Sequence, residues 1–168
     1  MSEITTPREL FLHELGDILY VEEKLEQEVL PTLMQQVTDA KLRKGFEKHL
    51  EQTRQHVENV EEAFERLGEQ PRAEECVGFL GLKNEHEQLA SQTSEPLMDL
   101  VAAGSAARTE HYEIVAYEGL IAKARALGER DVVDLLEKNL KDDKETARQV
   151  ESIAKDLSKA SAKEFSEA

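Results

Sequence analysis

The chain has 168 residues, of which 39 % are hydrophobic and 34 % charged, and its 36 acidic against 21 basic side chains give a formal net charge of −15. That length supports one domain with a real core. The charge excludes wrapping or protection of nucleic acid, which needs a basic face, and adhesion to anionic membrane surfaces. A single cysteine, Cys76, allows no internal disulfide and points to a reducing, cytoplasmic setting. No apolar run approaches the ~18–20 residues of a membrane helix, and Met1-Ser2-Glu3-Ile4 opens no signal-type segment.

The first predicted helix, α1 (residues 7–37), starts at a capping box in which Thr6 is the N-cap, Pro7 the first helical residue and Glu9 the reciprocal acceptor. Its apolar stripe is Leu12, Leu15, Leu19, Leu25, Val29, Leu33. Pro31 lies inside it, lacks an N–H, and predicts a kink near Leu30. Asp39 caps α2 (40–67), whose stripe Leu42, Phe46, Leu50, Val57, Val60, Phe64, Leu67 stops at Gly68. A long connection then carries a short helix, α3 (77–91). Pro96 opens α4 (96–127), which ends before Gly128, and α5 (130–158) follows; a small, polar tail, 159–168, is expected to fray. Four long helices joined short, long, short make an all-α, ferritin-like four-helix bundle, a single domain whose middle crossover carries the extra helix.

The stripes are interrupted at matching heights. Glu22 falls on the seam of α1, Thr53 and His56 on that of α2, Glu110 on that of α4 and Asp143 on that of α5. Each lies close to the middle of its helix, and midpoints align in a bundle whichever way the helices run. One core layer should therefore hold three carboxylates and an imidazole, an arrangement that is costly in a dry interior unless a cation neutralises it. Imidazole with carboxylate suits iron or manganese. The di-iron carboxylate template repeats Glu, then Glu-x-x-His, in each half of a bundle. Here the first half reads Glu22 with Thr53-x-x-His56, and the second Glu110 with Asp143-x-x-Thr146. His49 and Glu113 are the natural substitutes for the missing donors. The alternative is a metal-free polar layer that fixes helix register in a non-catalytic structural or interaction bundle. His13, His86 and His111 are assigned to the surface, Tyr112 and Tyr117 to packing, Cys76 to a structural thiol, and Glu58, Glu61, Glu62 and Glu65 to a solvated face.

Four segments carry a family resemblance: Phe11-Leu12-His13-Glu14-Leu15-Gly16-Asp17-Ile18 through Glu22, His49-Leu50-Glu51-Gln52-Thr53-Arg54-Gln55-His56-Val57-Glu58, Cys76-Val77-Gly78-Phe79-Leu80-Gly81-Leu82, and Glu110-His111-Tyr112-Glu113-Ile114-Val115-Ala116-Tyr117. Over roughly residues 6–157 the chain resembles the YciE/YciF group of ferritin-like bacterial stress proteins, whose bundle is similar to that of rubrerythrins. The resemblance implies a homodimer linked to the stress response, with a site for two metal ions. Glu22, His56, Glu110 and Asp143 would be ligands, with His49 and Glu113 auxiliary. Iron there would support a ferroxidase-type oxidoreductase activity, oxidising Fe(II) with O2 or peroxide. The chain departs from the group at Gln52, where an acid is expected, and at Asp142-Asp143, where Glu-Glu is usual.

Overall fold

The computed structural model describes residues 3–166; Met1 and Ser2, and the last two positions of the tail predicted to fray, lie outside it. Four long helices and a crossover helix form the bundle. α1 spans 7–36 in three stretches: α-helical Pro7–Lys24, a π-helical turn at Leu25–Val29, and α-helical Leu30–Gln36. α2 is Ala40–Arg66, α3 Val77–Ser91, α4 Met98–Leu127 after a 3-10 turn at Glu95–Leu97, and α5 Arg130–Ser166. Among the described residues there is no strand, and no helix is long and apolar enough to cross a membrane.

The local chemistry explains the boundaries. The Thr6–Glu9 capping box forms with Pro7 in the first turn, and Asp39 accepts from the Leu42 amide at 2.8 Å. Gly68 and Gly128 close α2 and α4 in the left-handed region, at φ 75° and 84°, where only glycine is unstrained. A π-helical turn stands just before Pro31, where the interruption was predicted. Pro31 offers no N–H, and the Leu30 amide reaches back five residues to the Leu25 carbonyl, so α1 continues with a local widening. α5 also runs on to Ser166, through a segment in which Lys159, Ala160, Ala162 and Lys163 are good helix formers, rather than fraying from residue 159.

Two polar clasps fix the register. At one end, Arg8 donates to the Leu67 carbonyl at 2.7 Å and contacts Glu69 and Glu129, tying the start of α1 to the ends of α2 and α4. At the other, Asp99 at the start of α4 accepts from the Thr38 and Asp39 amides between α1 and α2. α2 and α4 therefore run parallel to each other and antiparallel to α1 and α5, as a long crossover requires. Phe11, Leu15 and Ile18 join Val60, Phe64, Leu120 and Leu136 in the core towards the Arg8 end, and Leu30, Leu33, Leu42, Phe46, Ala102 and Ala103 towards the Asp99 end.

The crossover is laid directly on α1 at Gly16. The Gly16 carbonyl accepts from the Glu74 amide at 3.0 Å, and a Cβ there would stand 2.8 Å from the Arg72 carbonyl oxygen and 2.7 Å from Glu74 Cγ. The backbone is pinned by its own hydrogen bond and cannot yield cheaply. Gly16→Ala is expected to lower stability in a denaturant melt by about 1–3 kcal/mol, whereas Gly45→Ala, with open space around the new methyl, is expected to be neutral or stabilising.

Candidate metal centre

All six sequence-derived residues converge, as two triads rather than one layer. Glu22 from α1, His56 from α2 and Asp143 from α5 form the first; His49 from α2 with Glu110 and Glu113 from α4 form the second. Within each triad one ligand atom per residue lies within 4.8 Å of the others. The spacing follows from helix geometry. His49 and His56, seven residues apart, share the inner face of α2, and Glu110 and Glu113, three apart, share that of α4. The two imidazole centroids are 6.4 Å apart, so the triads are neighbours. Thr53 lies between the two histidines in sequence, fully buried, and spends its hydroxyl on the His49 carbonyl at 2.9 Å.

These groups are buried and poorly partnered. Glu22, His56, Glu113 and Asp143 are fully buried, and His49 and Glu110 are each 2 % exposed. His56 Nδ1 stands 3.2 Å from Glu22 Oε1 and 3.6 Å from Asp143 Oδ1, and His49 Nε2 stands 3.1 Å from Glu110 Oε1. The imidazole nitrogens are close to these oxygens yet make no aligned hydrogen bond. Among the described residues, every buried side-chain nitrogen or oxygen without a hydrogen-bond partner belongs to these six residues or to Gln52. Native interiors satisfy nearly all such groups, so the concentration of orphans in one place calls for a ligand.

Burial and mutual repulsion push the Glu110, Glu113 and Asp143 carboxyls well above the usual range. Burial works against charging His56, but Glu22, Asp143 and Asp142 around it hold its imidazolium up to about 9. Burial, with His56 and Lys48 nearby, drives His49 down to about 3. The contrast is physical: a protonated Glu110 gives His49 no counter-charge.

Several contributors escaped the sequence reading. Tyr117, assigned there to packing, donates from its buried hydroxyl to Glu22 Oε1. Asn139 donates to the Tyr117 oxygen at 2.9 Å and to the His56 carbonyl at 3.3 Å, and accepts from Asn59 at 2.7 Å. Asn139 and Asn59 lie four residues before Asp143 and three after His56, a helical-face spacing that could have flagged them. Asp142, one-third exposed, comes within 3.6 Å of His56 Nε2. His86 is buried, against its surface assignment, because Ser105 and Gln36 engage its two nitrogens at 3.0 and 3.1 Å. His111 and His13 stay outside, beside Glu151 and Asp17, and Cys76 is buried against the Tyr112 hydroxyl.

The sequence pattern of the family described as "domain of unknown function (DUF892)" matches residues 6–163. The chain belongs to the DUF892 family. Within it, the chain is similar to protein YciF of Escherichia coli (strain K12), at 29 % identity over 151 residues that cover 89 % of this chain and 90 % of that protein. Among solved structures, YcfI from Rhodopseudomonas palustris superposes with a TM-score of 0.86 at 33 % identity, covering 89 % of this chain and 95 % of that one. The E. coli stress protein YciF superposes equally well, at 0.86 and 27 % identity, with 93 % and 99 % covered. This DUF892 chain is thus a YciF-like helical bundle, and two acidic and histidine clusters with donor sets able to hold metal ions lie at its centre.

The proton balance makes a signed prediction for metal-free protein. Carboxyls with raised values hold protons in the fold that the unfolded chain has lost, and His56 holds its proton up to about 9. Stability from these groups is present below their unfolded values and is lost as pH rises. By pH 7 the depressed His49 and His86 are largely neutral in both states and no longer oppose the trend. The thermal midpoint of chelator-treated protein should fall between about pH 7 and about pH 9. With Mn(II) added the midpoint should rise instead, because a metal displaces those protons. Parallel profiles with and without metal would count against the assignment.

Proposed function

We propose that the protein binds two divalent transition-metal ions, iron or manganese, one in each triad. The observation that supports this reading is the set of orphaned donor atoms: ten buried nitrogens and oxygens on six convergent residues, with no hydrogen-bond partner. The charge balance also fits, since four buried carboxylates match two divalent cations. Mixed imidazole and carboxylate donors suit iron and manganese better than the thiolate-rich sets that select softer metals. Tyr117 and Asn139 hold Glu22 and the backbone carrying His56 in place, as outer hydrogen-bond partners do for metal ligands.

When bound, iron would supply redox chemistry, the oxidation of Fe(II) by O2 or peroxide. The protein's part is to bind and orient the ions, to keep bulk water away, and to take up or release protons on Glu110, Glu113, Asp143 and His56 as metal enters and leaves. The E. coli relative is named a stress protein, and on that likeness a protective role in the cytoplasm, as a homodimer, is proposed here too.

A second reading has its own support. The close His56–Glu22 and His49–Glu110 contacts let protons alone neutralise the layer, and YcfI has been provisionally assigned as a structural protein. A register-fixing polar core without metal would then suffice. Anaerobic calorimetric titration with Fe(II) and with Mn(II) separates the two. Uptake of two equivalents by wild type, and its loss in the Glu22→Ala/Glu110→Ala double variant, is expected from the metal reading. Equal behaviour of the two proteins, with stability unchanged by chelation, would favour the structural one.

A further inference from the structure

One side of the second triad is not packed. A cavity of about 200 Å³ lies between α1, α2, α3 and α4, with His49 and Glu110 at its inner end. Its walls are largely apolar: Leu25, Leu33, Phe46, Phe79 and Ala106 among them. The cavity owes its shape to two features that the bundle alone does not require. The π-helical turn of α1 presents Leu25 and Val29 to it, and the crossover helix α3 roofs it with Phe79 and His86. At the solvent side Lys83 of α3 reaches Glu28 of α1 at 3.5 Å, a clasp across the mouth.

The polar groups of the wall fall into two kinds. His86 is neutral through burial and bonded at both nitrogens, to Ser105 and Gln36, so it asks for nothing more. His49 Nδ1 and Nε2 and Glu110 Oε2 are the buried lining atoms, among the described residues, that lack a partner. The cavity wall is thus mostly apolar in area and unsatisfied at His49 and Glu110. An engineered apolar cavity of about 150 Å³ holds benzene, so this one takes a ring with a small substituent. An anion or a cation alike would lose its hydration against apolar walls. A hydroxyl both donates and accepts, and can answer a carboxyl oxygen and an imidazole nitrogen together.

We propose that this cavity is a binding site for a small neutral phenol or aromatic alcohol, its ring among Leu25, Leu33, Phe46 and Phe79 and its hydroxyl at His49 and Glu110. The site lies beside the proposed second metal position, where a co-substrate would sit, but binding by the metal-free protein does not depend on that reading.

Phenol is the probe. Calorimetry on chelator-treated full-length protein is expected to give a dissociation constant of about 1 mM or tighter, with benzoate at least tenfold weaker. Methyl resonances of Leu25, Val29 and Leu33 should shift on addition, while those of Val115 and Leu120, which line a separate surface cleft, should not. Ala106→Leu, which fills the cavity, should weaken phenol at least tenfold; Val29→Phe, at a half-buried lining position, serves if the first variant fails to fold. No binding by wild type, binding unchanged in both folded variants, or shifts confined to Val115 and Leu120 would overturn the proposal. Phenol binding by a protein that takes up no Mn(II) would still support it and would count only against the metal reading.

Discussion

The structure is organised around the cost of burying charge. Four carboxyls and two imidazoles sit in the centre of a helical bundle, where each uncompensated ion costs several kcal/mol and like charges raise one another's proton affinity. Only two neutralisers fit the space: protons or metal cations. The same geometry accepts either, which is why Glu110, Glu113, Asp143 and the two histidines titrate far from their ordinary values without metal. Within the cluster the asymmetry is informative. His56, ringed by Glu22, Asp143 and Asp142, stays charged to about 9, while His49, beside a carboxyl that prefers its proton, is driven to about 3.

Holding such a cluster demands fixed helix register, since a slip of one residue turns each side chain by about 100° around its helix. The bundle fixes register at its ends rather than at the cluster. Arg8 gathers α1, α2 and the α4–α5 turn at one end, and Asp99 gathers α1, α2 and α4 at the other. Apolar packing fills both intervals between clasp and cluster. Heptad spacing on α2 and three-residue spacing on α4 then deliver the second triad, which the di-iron template would not have supplied.

Much of this was legible in sequence. Caps and glycine stops gave the helix boundaries, because they are local chemistry: Thr6, Asp39, Gly68 and Gly128 act within a few residues of themselves. The short-long-short connections gave the topology. The interrupted seams gave Glu22, His56, Glu110 and Asp143, because a polar side chain on a buried stripe is a strong departure from pattern, and the donors missing from the di-iron template pointed to His49 and Glu113. The rest depends on three-dimensional facts that no stripe records. The division into two triads depends on how far side chains lean along the bundle. His86 looked exposed because its partners, Ser105 and Gln36, come from other helices. Tyr117 looked like packing because its ring is indeed packed and only its hydroxyl reaches Glu22. The π-helical turn was not foreseen because a missing N–H at Pro31 flags only that the regular hydrogen-bond ladder is interrupted, and the surroundings choose how it is resolved.

The two triads are chemically unlike, and the difference extends outward from each. Around the first, Tyr117, Asn139 and Asn59 form a buried chain of hydrogen bonds that pins Glu22 and the backbone at His56. Asp142 adds a one-third-exposed carboxyl on the solvent side. Both triads keep five unpartnered atoms, but among the described residues the second has no comparable side-chain hydrogen-bond chain around it, and one flank opens on the apolar cavity. Outer hydrogen bonds raise both the precision and the affinity of a metal site, so on the metal reading proposed above the first triad would hold its ion the more firmly. The π-helical turn lies just beyond Glu22 in the chain and lines the cavity beside His49 and Glu110. One local departure from α-helical geometry thus borders both environments, linking the first triad to the cavity beside the second through a single element of α1.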